Sequence, residues 1–304
     1  MNDGNTALNG VELDAAPMTS GAKSLVSDLM ALARLRIVAM VLLTMLVAAW
    51  ASSPGPFLWG QALYAAVGVG MVVVGAIVFN QRMEWLSDAR MERTANRPIP
   101  SGRISPHAAT AMGATITVLG VAMLAWSANP ALTGLAVLSW FIYVGMYTPL
   151  KPVSVWQTAV GALAGAMPAL LGTAVVGGWE SPHGWVLFGV IYLWQFPHAM
   201  AIAELYREQY AKANVRVAPV VDDSGRLVTW LTLFGATALL GLSAAAARWG
   251  EFSTPGGWAL ILGAVGYLVG SLWFVFRRNA FTARWLLRGS LLYLPLACAA
   301  FLLG

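Results

Sequence analysis

Charged residues are scarce in this chain. Lys, Arg, Asp and Glu make up only 10% of its 304 residues, whereas a soluble globular protein carries about 25%. This scarcity excludes a soluble domain, a coiled coil and a disordered chain. Cysteine is almost absent as well, because Cys298 stands alone. An internal disulfide and a zinc site built from cysteines are therefore excluded.

Long apolar segments dominate the chain instead. Hydrophobic residues make up 59% of it, and the mean hydropathy is +0.69. A bilayer core about 30 Å thick requires roughly 20 apolar residues of helix. The pattern predicts an all-α polytopic membrane protein with about nine transmembrane helices, and we expect these helices to surround a central cavity. We expect the spans near residues 35–51, 62–79, 107–126, 132–149, 158–178, 184–203, 227–247, 258–276 and 285–303.

The positive charges alternate along the connections between these spans. Seventeen of the eighteen Lys and Arg residues fall in the N-terminal tail and every second connection, and only Arg248 falls in the others. Positive residues concentrate on the cytoplasmic side of a membrane. The distribution therefore predicts a cytoplasmic N-terminus and an outside C-terminus, and it explains the pI near 9.6 without any nucleic acid.

The N-terminal segment is acidic and polar. Residues 1–30 hold Asp3, Glu12, Asp14 and Asp28 against the single Lys23, which is unlike a mitochondrial transit peptide or a cleaved signal. We predict a disordered cytoplasmic tail over residues 1–30 and one transmembrane domain over residues 31–304. A bacterial cytoplasmic (inner) membrane is the expected location, with the active site facing the cytoplasm.

Oxygen-bearing side chains recur every four residues where the second span ends. If the helix continues, Asn80, Glu84 and Asp88 share one face, and such oxygens suit Mg²⁺. An arginine cluster follows, as expected if metal-bridged diphosphate is the ligand: Arg90, Arg93, Arg97 and Arg103. The alternative is a solvated, salt-bridged loop whose arginines serve only membrane topology.

The order of these residues resembles a known family. Asn80-Gln81-x-x-Glu84-x-x-x-Asp88, followed by Met91-x-Arg93-Thr94-x-x-Arg97-Pro98, resembles the first motif of the UbiA superfamily of intramembrane prenyltransferases, in the form carried by its haem-farnesylating branch. Two later segments resemble the family's second and third signatures: Tyr147–Lys151 with Gly161–Pro168, and Trp194-Gln195-x-Pro197-His198 with residues 206–220. Differences from the pattern occur at Pro152, Gln157, Ala199, Glu204, Gln209 and Asn214.

The resemblance implies a reaction and its machinery. It implies Mg²⁺-dependent transfer of a farnesyl group from farnesyl diphosphate to a vinyl group of haem B, which makes haem O. It implies haem A synthase or terminal oxidase assembly proteins as partners. The catalytic set would be Asn80, Glu84, Asp88, Arg93 and Lys151, and the diphosphate set Arg93, Arg97, Arg103, Tyr147 and Lys151. Lys151 has a simpler alternative role as a topology anchor beside an interfacial tyrosine.

The third segment contains a histidine within an apolar span. His198 follows Pro197, and an ionisable residue at such depth is usually functional. The resemblance implies that His198 is a haem ligand, with Trp194 and Gln195 also contacting haem. The alternative is a hydrogen bond between helices.

Glu204 and Glu208 are also four residues apart, and they begin the second long loop. On one helical face they would form a second carboxylate pair for Mg²⁺, and the alternative is a polar helix end paired with Arg207 or Lys212. Two other functions for the whole protein stay open. One is a UbiA-type enzyme that prenylates another aromatic acceptor, and the other is a non-enzymatic membrane transporter or haem-binding factor.

Overall fold

The computed structural model describes residues 25–127, 129–178, 180–248 and 254–303, which form helices and connecting turns with no strand. The helices before residue 127 are α1 Leu25–Ala33, α2 Leu35–Ala51, α3 Trp59–Met83, α4 Trp85–Asp88, α5 Glu92–Ala95 and α6 Pro106–Trp126. Then follow α7 Pro130–Trp140, a π-helix Phe141–Tyr147, α8 Thr148–Leu150, α9 Gln157–Val175 and α10 Pro182–Leu205. The remaining helices are α11 Arg207–Lys212, α12 Ala218–Val221, α13 Arg226–Arg248, α14 Thr254–Phe276 and α15 Ala280–Leu302.

The predicted all-α polytopic architecture is confirmed. Within the described ranges, eight helical segments are long and apolar enough to cross a membrane. A bend of 42° separates α1 from α2, and this pair makes a ninth span if it is counted as one. The protein is therefore a multi-pass membrane protein, with eight spans in the described ranges or nine if the bent pair is counted, against about nine predicted.

Only the last six residues of the predicted N-terminal tail fall within the described residues. Residues 1–24 of the predicted tail lie outside the described residues, but residues 25–30 are helical because α1 begins at Leu25. The helix buries Leu32 and Asp28, and the Asp28 carboxylate accepts a hydrogen bond from Arg103 Nε at 3.0 Å. These contacts extend the ordered domain further towards the N-terminus than residue 31.

Two apolar clusters hold the helices together. One joins α10, α13, α14 and α15, and the other joins α2, α3, α7 and α9. Small residues allow the closest approaches, as expected where packing rather than water exclusion drives association. At Gly172 of α9 a Cβ atom would lie 2.1 Å from the Met45 carbonyl oxygen of α2, so only glycine allows this contact.

A π-helix interrupts the span predicted over residues 132–149. Its backbone hydrogen bonds join residues five apart, and it covers Phe141–Tyr147. The Thr148 hydroxyl donates to the Tyr143 carbonyl oxygen at 2.8 Å. This bond across five residues ties α8 to the middle of the π-helix.

The continuous helix predicted over residues 80–88 is wrong. Helix α3 ends at Met83, and Glu84 has φ −94° and ψ 2° before α4 begins. The Glu84 carbonyl oxygen accepts from the Ser87 hydroxyl at 2.8 Å and from the Asp88 N–H at 2.8 Å. The chain therefore turns at Glu84 and resumes as α4 with this carbonyl oxygen fully paired.

Candidate active site

A cavity of about 1130 Å³ lies between the central helices. Residues of α2, α3, the π-helix, α9, α10 and α15 line it, and segments 84–97 and 210–217 contribute to one end. Helix α6 packs on α3, while α13 packs on α10 and α14 packs on α15, away from the cavity lining. The lining is charged at the end formed by the two segments and apolar beside residues such as Val72 and Leu171.

Two carboxylates of the first motif line the charged end, and each is paired with a cation. Lys151 Nζ lies 2.5 Å from Glu84 Oε1, and Arg97 Nη1 lies 2.5 Å from Asp88 Oδ2. Burial raises the pKa of Asp88 above its ordinary value, although Arg97 acts in the opposite direction. Burial also opposes the charge on Lys151, but neighbouring Tyr147 and Glu84 raise its pKa. The ion pairs occupy one oxygen of each carboxylate.

The amide of Asn80 is oriented by a threonine. Asn80 is 1% exposed, and its Nδ2 donates to Thr148 Oγ1 at 3.0 Å. The Thr148 proton is donated to Tyr143, so Oγ1 must accept, and the nitrogen rather than the oxygen of the amide faces it. Asn80 lines the cavity, and its Oδ1 therefore remains available as a candidate metal ligand.

These oxygens fit a magnesium ion by their chemistry. An amide oxygen and two carboxylates line one end of the cavity, and Mg²⁺ typically takes one or two carboxylates and completes its shell with water and phosphate. Within the described ranges no three His, Cys, Asp or Glu side chains form a cluster that could hold a metal by themselves. Water or a phosphate ligand would supply the remaining ligands of such an ion.

Cations outnumber carboxylates around the cavity. Six basic side chains line it against the two acidic ones: Arg34, Arg36, Arg90, Arg93, Arg97 and Lys151. The Arg93 guanidinium lies 4.5 Å from the centre of the Tyr206 ring and donates to the Tyr210 hydroxyl at 3.2 Å. Lys151 Nζ lies 4.5 Å from the centre of the Tyr147 ring. Such an excess of positive charge around a cavity is suited to an anionic ligand.

Arg34 is a cavity residue that none of the sequence motifs includes. It joins α1 to α2 with φ 47° and ψ 54°, a left-handed conformation that is unfavourable for any residue with a Cβ. Its charge lies close enough to contribute to the lowered pKa of Arg97, for which burial is the larger cause. Strained residues of this kind often occur at functional sites, but the sequence itself carries no signal for this one.

The third signature lies further along the same cavity. Trp194, Gln195 and His198 all line it, and the rings of Trp194 and His198 stack with centroids 4.7 Å apart. Gln195 Nε2 donates to the carbonyl oxygens of Ala162 at 3.0 Å and Ile191 at 3.1 Å. The predicted haem-contacting residues are thus brought together.

The small residues of α9 accommodate these side chains. A Cβ at Gly161 would lie 2.7 Å from the Tyr147 ring, and a Cβ at Gly165 would lie 2.3 Å from Gln195 Oε1. Both glycines therefore allow side chains of the π-helix and of α10 to approach α9 closely.

Three predicted site residues do not line this cavity: Arg103, Glu204 and Glu208. Arg103 instead pairs with Asp28 of α1. Glu204 and Glu208 belong to different helices because α10 ends at Leu205, and Tyr206 with φ −117° separates it from α11. Glu204 Oε1 lies 3.5 Å from Arg278 Nε, and Glu208 is exposed.

Comparisons with known proteins agree with this architecture. The protoheme IX farnesyltransferase of Rhodopirellula baltica is 38% identical over 86% of this chain and 93% of its own length, and that of Opitutus terrae is 34% identical over 93% and 96%. A solved digeranylgeranylglyceryl phosphate synthase has a TM-score of 0.75 at 16% identity over 92% of this chain and 98% of its own. A UbiA homologue from Archaeoglobus fulgidus bound to GPP and Mg²⁺ has a TM-score of 0.59 at 13% identity over 90% and 99%.

The two solved structures share the fold of this chain at low sequence identity. The family profile described as UbiA prenyltransferase family matches residues 41–296, a range that includes every cavity residue after Met40. The chain is therefore a member of the UbiA prenyltransferase family.

Proposed function

We propose that this prenyltransferase transfers a farnesyl group from farnesyl diphosphate to a vinyl group of haem B, forming haem O and releasing diphosphate. The observation that carries the proposal is the division of the cavity into a cationic end and an apolar remainder. A prenyl diphosphate has the same division between its headgroup and its chain. The similarity of the chain to protoheme IX farnesyltransferases supports haem as the acceptor.

Asn80, Glu84 and Asp88 are the proposed magnesium ligands, and the A. fulgidus homologue bound to GPP and Mg²⁺ supports a metal-bound diphosphate. A bound Mg²⁺ would stabilise the negative charge that develops on the leaving diphosphate. Lys151 and Arg97 already contact these carboxylates. They are therefore positioned beside the metal site to bind phosphate oxygens of the same ligand.

The cations and aromatic rings then divide the work of ionisation. Arg93, Arg97 and Lys151 neutralise the diphosphate as the bond between its oxygen and C1 of the prenyl chain breaks and the electron pair leaves with the oxygen. The ring of Tyr147 stabilises positive charge on the allylic carbons. The electron pair of a haem B vinyl double bond forms the new bond to C1, which leaves a cation on the other vinyl carbon. Water adds to this cation and loses one proton to solvent, which completes the hydroxyethylfarnesyl side chain.

The acceptor occupies the middle of the cavity in this proposal. Trp194, Gln195 and His198 contact the haem there, while the apolar part of the lining holds the prenyl chain. The concentration of Lys and Arg in the N-terminal tail and in every second connection supports a cavity that faces the cytoplasm from a bacterial inner membrane.

Mass spectrometry of extracted haem tests the reaction directly. The purified protein is incubated in detergent with haem B and farnesyl diphosphate, with and without Mg²⁺. A Mg²⁺-dependent haem O peak is expected. Haem binding without this peak would contradict the proposed reaction, and diphosphate release only with other aromatic acceptors would favour the alternative enzyme.

A matched pair of variants tests the metal ligands. Glu84→Gln removes a carboxylate that lines the cavity, whereas Glu208→Gln makes the same chemical change on an exposed residue outside it. We expect loss of haem O formation in the first variant and native turnover in the second. The opposite result would move the metal site to the second loop.

A further inference from the structure

Ser290 of α15 is a buried residue that belongs to none of the three signatures. It is 0% exposed, and its Oγ lies 2.7 Å from Nδ1 of His198 on α10. The contact joins two helices within the span region, where a polar side chain requires a partner. The direction of this hydrogen bond decides what the imidazole offers to the cavity.

The hydroxyl group of Ser290 can donate only one proton. That proton has an acceptor of its own, because Ser290 Oγ donates to the Leu287 carbonyl oxygen at 2.6 Å. Ser290 Oγ must therefore accept the hydrogen bond from His198. The Nδ1 atom of His198 then carries the ring proton, and Nε2 carries a lone pair.

The free lone pair belongs to a ring at the cavity wall. His198 lines the cavity, and no atom of the described ranges forms a hydrogen bond with its Nε2. The two nitrogens lie on opposite sides of the ring, so a bond that holds Nδ1 against α15 directs Nε2 away from that helix. A neutral imidazole with a free Nε2 is the form that binds iron.

We infer that Ser290 is a positioning residue that fixes His198 in the Nδ1–H tautomer and presents Nε2 to the iron of the haem substrate. This inference rests on the proposed function for the identity of the ligand. It extends that function by assigning the group that sets the chemistry of the histidine. Hydrogen bonds of this kind orient a ligating histidine and raise its basicity.

Ser290 also fixes the plane of the imidazole. Its carbonyl oxygen accepts from Trp194 Nε1 at 2.9 Å, and the Trp194 ring stacks on His198 at an interplanar angle of 23°. The Tyr267 hydroxyl donates to the Trp194 carbonyl oxygen at 2.9 Å. One residue of α15 thus holds both rings of the stacked pair, through its side chain and through its backbone.

Haem spectroscopy on the full-length protein tests this inference. The purified protein is loaded with haem B and reduced, and resonance Raman spectra report the stretch between iron and the histidine nitrogen. Native protein should show this band, and His198→Ala should lose it. Ser290→Ala should lower its frequency and weaken haem affinity by about 10- to 100-fold, whereas Ser290→Thr, which keeps the hydroxyl, should restore both.

Ser271→Ala is the matched control for these variants. Ser271 is also 0% exposed, and its hydroxyl donates to the Tyr267 carbonyl oxygen one turn away, but it does not contact His198. The Ser271→Ala variant should lose about as much thermal stability as the Ser290→Ala variant does, and it should keep the native iron–histidine band and the native haem affinity. A native band and affinity in Ser290→Ala would overturn the inference.

The outcomes separate this inference from the proposed function. Native protein that shows the histidine band but forms no haem O would contradict the proposed reaction and leave the role of Ser290 intact. Native protein that forms haem O but shows no histidine band would contradict the role of Ser290 alone.

Discussion

Conversion of Asp88 to asparagine should separate the catalytic role of this residue from its structural one. Asp88 is 2% exposed, and its Oδ2 contacts Arg97 Nη1 at 2.5 Å. The variant keeps an oxygen that can accept from Arg97, so the structural loss is the difference between a charged and a neutral hydrogen bond. That difference is about 1 kcal/mol, and relief of the buried negative charge offsets part of it.

The catalytic loss should be much larger. If Asp88 is a magnesium ligand, an amide oxygen without charge replaces one of only two carboxylates at the site. We expect haem O formation to fall at least 100-fold, which corresponds to about 2.7 kcal/mol of transition-state stabilisation. Haem retention should stay within a few-fold of native, and the Mg²⁺ concentration for half-maximal activity should rise.

Thr94→Val is the control for the local structure. The Thr94 hydroxyl donates to the Asp88 carbonyl oxygen at 2.7 Å, so this variant loosens the same turn without removing a carboxylate. It should lose about 1 kcal/mol of unfolding free energy and keep turnover within a few-fold of native. Native turnover and native Mg²⁺ dependence in Asp88→Asn would refute the assignment of Asp88 to the metal.

Three further predictions follow from the backbone and the loops. Arg34→Gly should raise the free energy of unfolding by about 1 kcal/mol, because glycine adopts the left-handed conformation without strain. The same variant should raise the KM for farnesyl diphosphate in steady-state kinetics, because it removes a positive charge from the cavity. Gly172→Ala should lower unfolding free energy by about 3 kcal/mol because of the clash with Met45, whereas Gly241→Ala, with open space around it, should raise it by roughly 0.5–1 kcal/mol in chemical denaturation. A hydrogen bond from the Ser224 hydroxyl lowers the pKa of Asp222. The stability that this carboxylate contributes to the fold is complete above the ordinary carboxyl pKa and is lost as pH falls through the lowered value. Asp222→Asn should therefore flatten the acid side of a plot of melting temperature against pH.

Each of these predictions has a result that would count against it. An unchanged KM in Arg34→Gly would remove that arginine from the binding site. Equal stability of the two alanine variants would mean that α2 and α9 move apart without cost. An Asp222→Asn protein with the native acid dependence would assign that dependence to other carboxylates.

Hydropathy predicted the spans because the bilayer sets the length of a helix that crosses it. Spacing within one segment was also informative, since Asn80, Glu84 and Asp88 all line the cavity. The metal role of these residues stays a prediction. The turn at Glu84 was missed because no glycine or proline marks it in the sequence of residues 80–88.

Contacts between distant segments could not be predicted from the spacing of residues within one segment. The pairing of Lys151 with Glu84 depends on how α8 packs near α3, and the bond from His198 to Ser290 depends on how α15 packs on α10. The four-residue spacing of Glu204 and Glu208 was misleading because a helix break separates them. A helix break need not separate such residues, since Asn80, Glu84 and Asp88 line one cavity across the turn at Glu84, but it removes the reason to expect a shared face.

The π-helix over Phe141–Tyr147 sets the direction of the residues that follow it. A π-helical turn contains more residues than an α-helical turn, because its hydrogen bonds join residues five apart rather than four. If this segment kept its length and formed a regular α-helix, the residues after it would be rotated by about 100° around the helix axis. Lys151, which lines the cavity and pairs with Glu84, would then point elsewhere, so its position depends on the wide turn that precedes it.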